Sequence, residues 1–186
     1  MKSQINLWRL EHDNFRRVLD LLEAQIGVFH EGERPNYDLM LDIVYYLRQY
    51  PDRFHHPKED AAIGRLAARD PAARAVARGL ASEHEVISRS GKQLLEQLNG
   101  VVSGALVPRE EVETPAATYV AYYRQHMARE ESDVFPRAER ELGKEDWAAV
   151  DAAIPETPDP LFGDDVEERY RQLYRHITVE ASGARG

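Results

Sequence analysis

Two short stretches carry side chains that could do chemistry together: His55-His56-Pro57-Lys58-Glu59 and His126-Met127-Ala128-Arg129-Glu130. In each, a histidine precedes a glutamate by four residues, so on a helix an imidazole and a carboxylate stand one turn apart on one face. A single such pair is most often a solvated surface pair. Turned inward it would chelate, because a hard carboxylate oxygen beside a borderline imidazole nitrogen suits a divalent transition ion such as iron, manganese or zinc. Two occurrences in one chain favour the second reading.

The repeat extends beyond the two pairs. His12 to His84 spans 72 positions, while His55 to His126 and Glu59 to Glu130 each span 71. Their neighbours match as well: Glu11 precedes His12 as Glu83 precedes His84, and Asp60 follows Glu59 as Glu131 follows Glu130. Ile63 and Val134 stand four residues beyond the two glutamates. A lone histidine such as His12 in an apolar seam is more often a hydrogen-bonded core residue than a ligand, since a buried polar group needs only a partner. Two hairpins, each giving one histidine from its first helix and a His/Glu pair from its second, would nevertheless converge on one core site. Four histidines and two carboxylates exceed what one ion needs and suit two ions bridged by carboxylates.

Four helices must position these groups. Trp8, His12, Phe15, Leu19, Leu22, Ile26 and Phe29 recur at spacings of four and three, which predicts a helix from Ser3 to about Glu31. A turn of Gly32-Glu33-Arg34-Pro35-Asn36 leads to a second helix from Tyr37 to about Arg69, with a kink or break around residues 50–57 imposed by Pro51 and Pro57. Asp70-Pro71 reads as N-cap and first residue of a third helix running to about Asn99, with a seam of Ala77, Leu80, His84, Ile87, Gly91, Leu94 and Leu98. The fourth is expected from Pro108 to Leu142, with a seam of Ala116, Tyr119, Tyr123, His126, Glu130, Asp133 and Arg137 and a bend at Pro136. Its face turns from aromatic to polar, which an ordinary core helix would not tolerate. A short helix from Lys144 to Ile154, a proline-rich link, a helix from Val166 to about Ile177 and a frayed tail from Glu180 complete the chain. The expectation is an all-α protein: an up-down-up-down four-helix bundle over residues 1–143, with a short C-terminal helical appendage, 144–186, packed on it.

Composition narrows the partners. The 186 residues are 42% hydrophobic and 31% charged, with no cysteine and a formal charge of -9. An acidic surface opposes nucleic-acid binding. The lack of cysteine removes disulfides, thiolate zinc sites and iron–sulfur clusters, leaving histidine and carboxylate to hold any metal. With no apolar run of about 18 residues, a membrane span is not expected, and the N-terminus lacks the pattern of a secretory signal, so a cytoplasmic location is expected.

In order and spacing these residues resemble the hemerythrin family, specifically its HHE cation-binding domains, over roughly residues 5–142. The resemblance implies two non-heme iron ions in a four-helix bundle, or other divalent metals such as manganese or zinc, with the glutamates bridging and the histidines terminal. By that resemblance His12, His55, Glu59, His84, His126 and Glu130 are metal ligands. Two features depart from the oxygen carriers of the family: Leu80 and Ser88 stand where a further histidine would be, and the carboxylate after His126 follows at four residues, Glu130, rather than five. The chain is thus more similar to the branch found in iron-sensing and nitrosative-stress repair proteins. His56 either joins the site, if the proline kink turns adjacent side chains inward, or faces solvent. His30 and His176 belong to no pattern and read as structural or exposed.

The function this implies is binding or sensing of oxygen, nitric oxide or iron, with a small diatomic molecule as partner. A di-iron peroxidase or oxidase and an iron-storage or repair protein are alternatives, and a metal-free helical interaction module is a weaker one. Whether the chain is an enzyme, and whether it forms a homodimer, stay open in the sequence. Ferritin-like chemistry is disfavoured, because no histidine has a glutamate three residues before it. His-Glu-x-x-His is absent too, which leaves zinc-protease chemistry without support.

Overall fold

A computed structural model describes residues 4–183, with side chains as far as residue 179. Ser3, the expected start of the first helix, and residues 184–186 of the expected tail lie outside the described residues. Helix α1 (Gln4–His30) buries the whole predicted seam together with Ile5, Val18 and Leu21. Gly32 ends it in the left-handed region (φ 83°), where a side chain would be strained. Asn36 then caps α2 (Tyr37–Gln49), its Oδ1 accepting the Leu39 N–H at 3.0 Å.

The expected break in the second bundle helix is a π turn, Pro51–His55, between α2 and α3 (His56–Arg69). The fourth bundle helix uses the same device: α5 (Glu110–Arg129), a π turn Glu130–Val134, then α6 (Phe135–Glu141). In both, the residue just before a proline donates its N–H five residues back, His56 to Pro51 and Phe135 to Glu130. A proline ring collides with the carbonyl four residues earlier, and a widened turn relieves the collision without ending the helix. The extra residue also shifts the inward face. Asp133 and Arg137, expected in the seam, are only half-buried and pair with each other at 2.6 Å, while Val134, Phe135 and Ala138 turn inward.

The third bundle helix, α4 (Ala73–Val102), departs from expectation at both ends. The Asp70 Oδ1 accepts the Ala72 N–H at 2.8 Å, closing a turn over Pro71 before the helix rather than capping it. At the far end the helix runs through Gly100, and Gly104 (φ 87°) makes the left-handed stop. Beyond the bundle, α7 (Lys144–Ala153) packs on α3. A short 3-10 turn, Glu168–Tyr170, leads into α8 (Arg171–Gly183), which packs on α1 and α2. Leu173 and Ile177 anchor α8 in the core, and the helix continues past Glu180, where fraying was expected.

The described residues contain helices and no strand. α1, α2 with α3, α4, and α5 with α6 run alternately up and down, and each packs on its two neighbours in the ring. The apolar core falls into two clusters, one centred on Phe15, Ile43, Tyr46, Ile87 and Tyr123, the other on Trp8, Ile63, Leu80, Val134 and Phe135. On every bundle helix the predicted ligands lie at the junction: His12 between Trp8 and Phe15, His84 between Leu80 and Ile87. One polar layer therefore crosses the bundle between two dry halves.

Candidate metal centre

The layer consists of His12, His55, His56, Glu59, His84, His126 and Glu130, all buried, with both glutamates 0% exposed. Ring nitrogens and carboxylate oxygens of His12, His55 and Glu59 form one compact group, and those of His56, Glu59, His84 and His126 form another. Glu59 belongs to both, its Oε1 3.1 Å from His55 Nε2 and 3.5 Å from His12 Nε2, and its Oε2 3.7 Å from His84 Nε2. Glu130 likewise reaches across, 3.2 Å from His126 Nε2, 3.5 Å from His84 Nε2 and 3.6 Å from His12 Nε2.

Four of these histidines hold a carboxylate on the ring nitrogen that faces away from the centre. His12 Nδ1 meets Glu131 at 2.9 Å, His55 Nδ1 meets Glu11 at 2.7 Å, His84 Nδ1 meets Asp60 at 2.9 Å and His126 Nδ1 meets Glu83 at 3.0 Å. A carboxylate can only accept, so each Nδ1 carries a proton and each Nε2 presents its lone pair inward in the neutral ring. These acidic residues are the repeated neighbours of the ligands, and each orients the histidine of a different helix. Their doubling was visible in the sequence; the helix they would serve was not, because that pairing is made only by packing.

The centre makes electrostatic sense around a cation. With the rings neutral, both oxygens of Glu59 and of Glu130, and the Nε2 atoms of His84 and His126, are buried without a hydrogen-bond partner. His12 Nε2 and His55 Nε2 face each other at 3.1 Å, two lone pairs in contact when both Nδ1 atoms are protonated. Stranded buried acceptors are costly, at about 1 to 3 kcal/mol each, and a divalent ion satisfies all of them together. Imidazole and carboxylate without thiolate is a donor set for iron, manganese or zinc. The residues present fit the group that the sequence implied.

His56 points into the bundle, not to solvent, and is 4% exposed. It stacks on His84 at 4.4 Å between ring centroids, with its Nε2 3.3 Å from the Tyr123 hydroxyl and its Nδ1 3.4 Å from Asp52. The layer is thus unequal, with two histidines on one side and three on the other. Phe135, which the sequence reading passed over, stacks on His12 at 5.4 Å, and Phe15 stands edge-on to His55 at 5.0 Å. His30 is exposed and pairs with Glu113 at 2.9 Å, away from the layer.

The family model for the hemerythrin HHE cation-binding domain matches residues 3–138, most of the chain. The chain belongs to the hemerythrin HHE family. A search of curated proteins finds no match to it. Family membership and the buried cluster together support metal binding in this hemerythrin domain. The matched region holds all seven residues of the layer and all four carboxylates behind them. Among the described residues, no helix is long and apolar enough to cross a membrane.

Protons and cations compete for this layer. In the metal-free protein burial opposes charge on His55, but Glu59 and Glu11 outweigh it and push its pKa up to about 10. Burial is likewise outweighed at His84, by Asp60, Glu130 and Glu59, which push it up to about 10. A raised histidine pKa stabilises the metal-free fold below the unfolded value of about 6.5, and that contribution is lost as pH rises through the folded value. Bound metal must displace these protons, one on each side of the layer. Metal affinity is therefore expected to rise about tenfold per pH unit for each ion between roughly pH 6.5 and 9. Competition titrations with a chelator of known pH dependence check this; a flat profile would contradict it.

Proposed function

We propose that the chain holds two non-heme iron ions, one at His12 and His55 and one at His56, His84 and His126, with Glu59 and Glu130 shared between them. We infer further that the pair binds or senses a small diatomic molecule, dioxygen or nitric oxide. The observation that carries this reading is the inequality of the layer: with the two carboxylates shared, one side has a histidine fewer than the other. A ferrous pair, when bound, supplies electrons and an exchangeable coordination position, the chemistry by which such ligands are held reversibly.

The protein's own residues do the rest. Glu131, Glu11, Asp60 and Glu83 fix the tautomer and direction of four imidazoles. Trp8, Phe15, Ile87 and Phe135, each no more than 1% exposed, exclude water from the two faces of the layer. Tyr123 places a buried hydroxyl at the three-histidine side.

Protein purified without chelators is expected to carry about two equivalents of iron. Stopped-flow spectra of the ferrous form with oxygen then separate reversible binding, with a persistent charge-transfer band, from oxidase turnover. Less than about one equivalent of any divalent metal, together with a melting temperature that chelation leaves unchanged, would sink the reading.

A further inference from the structure

Beyond the matched domain, one stretch of the C-terminal segment is linked to the metal layer through the tyrosines of α2 and its C-cap. Residues 155–162 lie against the C-terminal end of α2 as a strap pinned at Asp159. The Asp159 Oδ1 accepts the N–H groups of Leu161 and Phe162 at 2.8 and 3.0 Å, and its backbone oxygen accepts the Gly163 N–H at 2.8 Å. Its Oδ2 accepts the hydroxyl of Tyr46 at 2.8 Å. Leu161 is fully buried, and Phe162 and Tyr170 close edge-on over the Tyr46 ring at 6.1 and 5.7 Å.

Tyr46 stacks on Tyr50, with an interplanar angle of 13°. The Tyr50 hydroxyl lies 3.4 Å from the Thr157 carbonyl and donates to Glu11 Oε1 at 2.7 Å. The other oxygen of Glu11 holds His55 Nδ1 at 2.7 Å. Four contacts thus lead from the strap to a histidine on the two-histidine side. The pseudo-equivalent carboxylate on the other side, Glu83, is held differently. It pairs with Arg129, 39% exposed, at the edge of a surface depression lined by Tyr122, Gln125 and His126. One orienting carboxylate, 12% exposed, is held by a buried tyrosine beneath the strap; the other, 18% exposed, is held by a half-exposed arginine.

We propose that the C-terminal segment 155–170 clamps the ion held by His12 and His55, with Tyr50 as the positioning residue that transmits its grip through Glu11 to His55. The proposal rests on the two-ion reading above. A carboxylate held behind a ligating histidine fixes ring direction and basicity, and losing such a partner typically costs 10- to 100-fold in metal affinity. The effect falls on one ion of the pair. A merely structural role for Tyr50 would loosen both ions alike or neither.

The test uses the full chain loaded with two equivalents of cobalt(II) and follows release to excess chelator by the visible spectrum of the metal. Tyr50→Phe, which removes one hydroxyl, is expected to speed one release phase about tenfold or more and leave the other at the wild-type rate. Tyr46→Phe touches no proposed ligand, takes away the strap's anchor and is expected to accelerate the same phase. Glu11→Gln keeps the volume of the side chain, moves the same phase and serves where a tyrosine variant does not fold. Wild-type release from these variants, or equal acceleration of both phases, overturns the clamp while leaving the two-ion reading intact. A wild-type protein that takes up fewer than two equivalents overturns the two-ion reading and the clamp with it.

Discussion

Glu130→Ala is expected to abolish retention of the ion pair, and Glu59→Ala to do the same, each lowering metal content from about two equivalents to one or fewer. The two carboxylates are the members of the layer that face both sides. Glu59 lies within 3.7 Å of ring nitrogens from His12, His55 and His84, and Glu130 within 3.6 Å of His12, His84 and His126. Truncating either removes a ligand from both ions and one negative charge from a site that gathers imidazoles at short range. Without that charge, bringing two cations together costs more than the histidines recover, because like charges in a poorly solvated interior repel strongly. Removal of a terminal histidine would disturb one ion only. His30→Ala, on an exposed side chain outside the layer, serves as the control that keeps full metal content. Metal analysis on folded, gel-filtered variants decides the matter, and two tightly bound ions in both glutamate variants would refute the bridging role.

The sequence made this centre legible because the ligands interrupt strong apolar seams. His12 and His84 occupy seam positions of long heptad-like helices, so their burial followed from periodicity, and the repeat of 71 to 72 residues tied them to the two His/Glu pairs. Four features depended on tertiary structure. The wide turn before Pro136 advances the face by a residue, which exchanged Asp133 and Arg137 for Val134 and Ala138; periodicity assumes a constant number of residues per turn and cannot register such a step. The same kind of turn before Pro57 brought His56 inward, which side-chain type alone did not determine. The carboxylates on the outer ring nitrogens pair across helices, Glu131 of the second π turn with His12 of α1 and Asp60 of α3 with His84 of α4, so their partners appear only when the bundle closes. The C-terminal strap showed in sequence merely as a proline-rich link, since its role depends on which tyrosines lie beneath it.

Stripping the metal is expected to lower the melting temperature by about 10 °C or more at neutral pH. A cation that binds only the folded chain stabilises it by about 4 kcal/mol per site at a free concentration a thousand times its dissociation constant. For a chain of this size each kcal/mol corresponds to roughly 2 to 4 °C. The layer has no apolar substitute for the lost ions: Glu59 and Glu130 are 0% exposed, and water has little route to their oxygens between the two core clusters. Protons are the remaining source of positive charge. Burial works against ionisation of Glu59, but His55 and His12 hold its carboxyl well below the usual range, so in the stripped protein its charge is balanced by protonated histidines. The destabilisation on stripping should therefore be smallest near pH 6, where those histidines are charged in folded and unfolded chains alike. It should grow as pH rises towards about 10, where His55 and His84 lose their protons and the carboxylates stand unbalanced. Calorimetric scans of loaded and stripped protein across that range measure the gap. Coincident melting curves would mean that no ion holds the layer, and a gap that shrinks with rising pH would mean that protons do not compete for it.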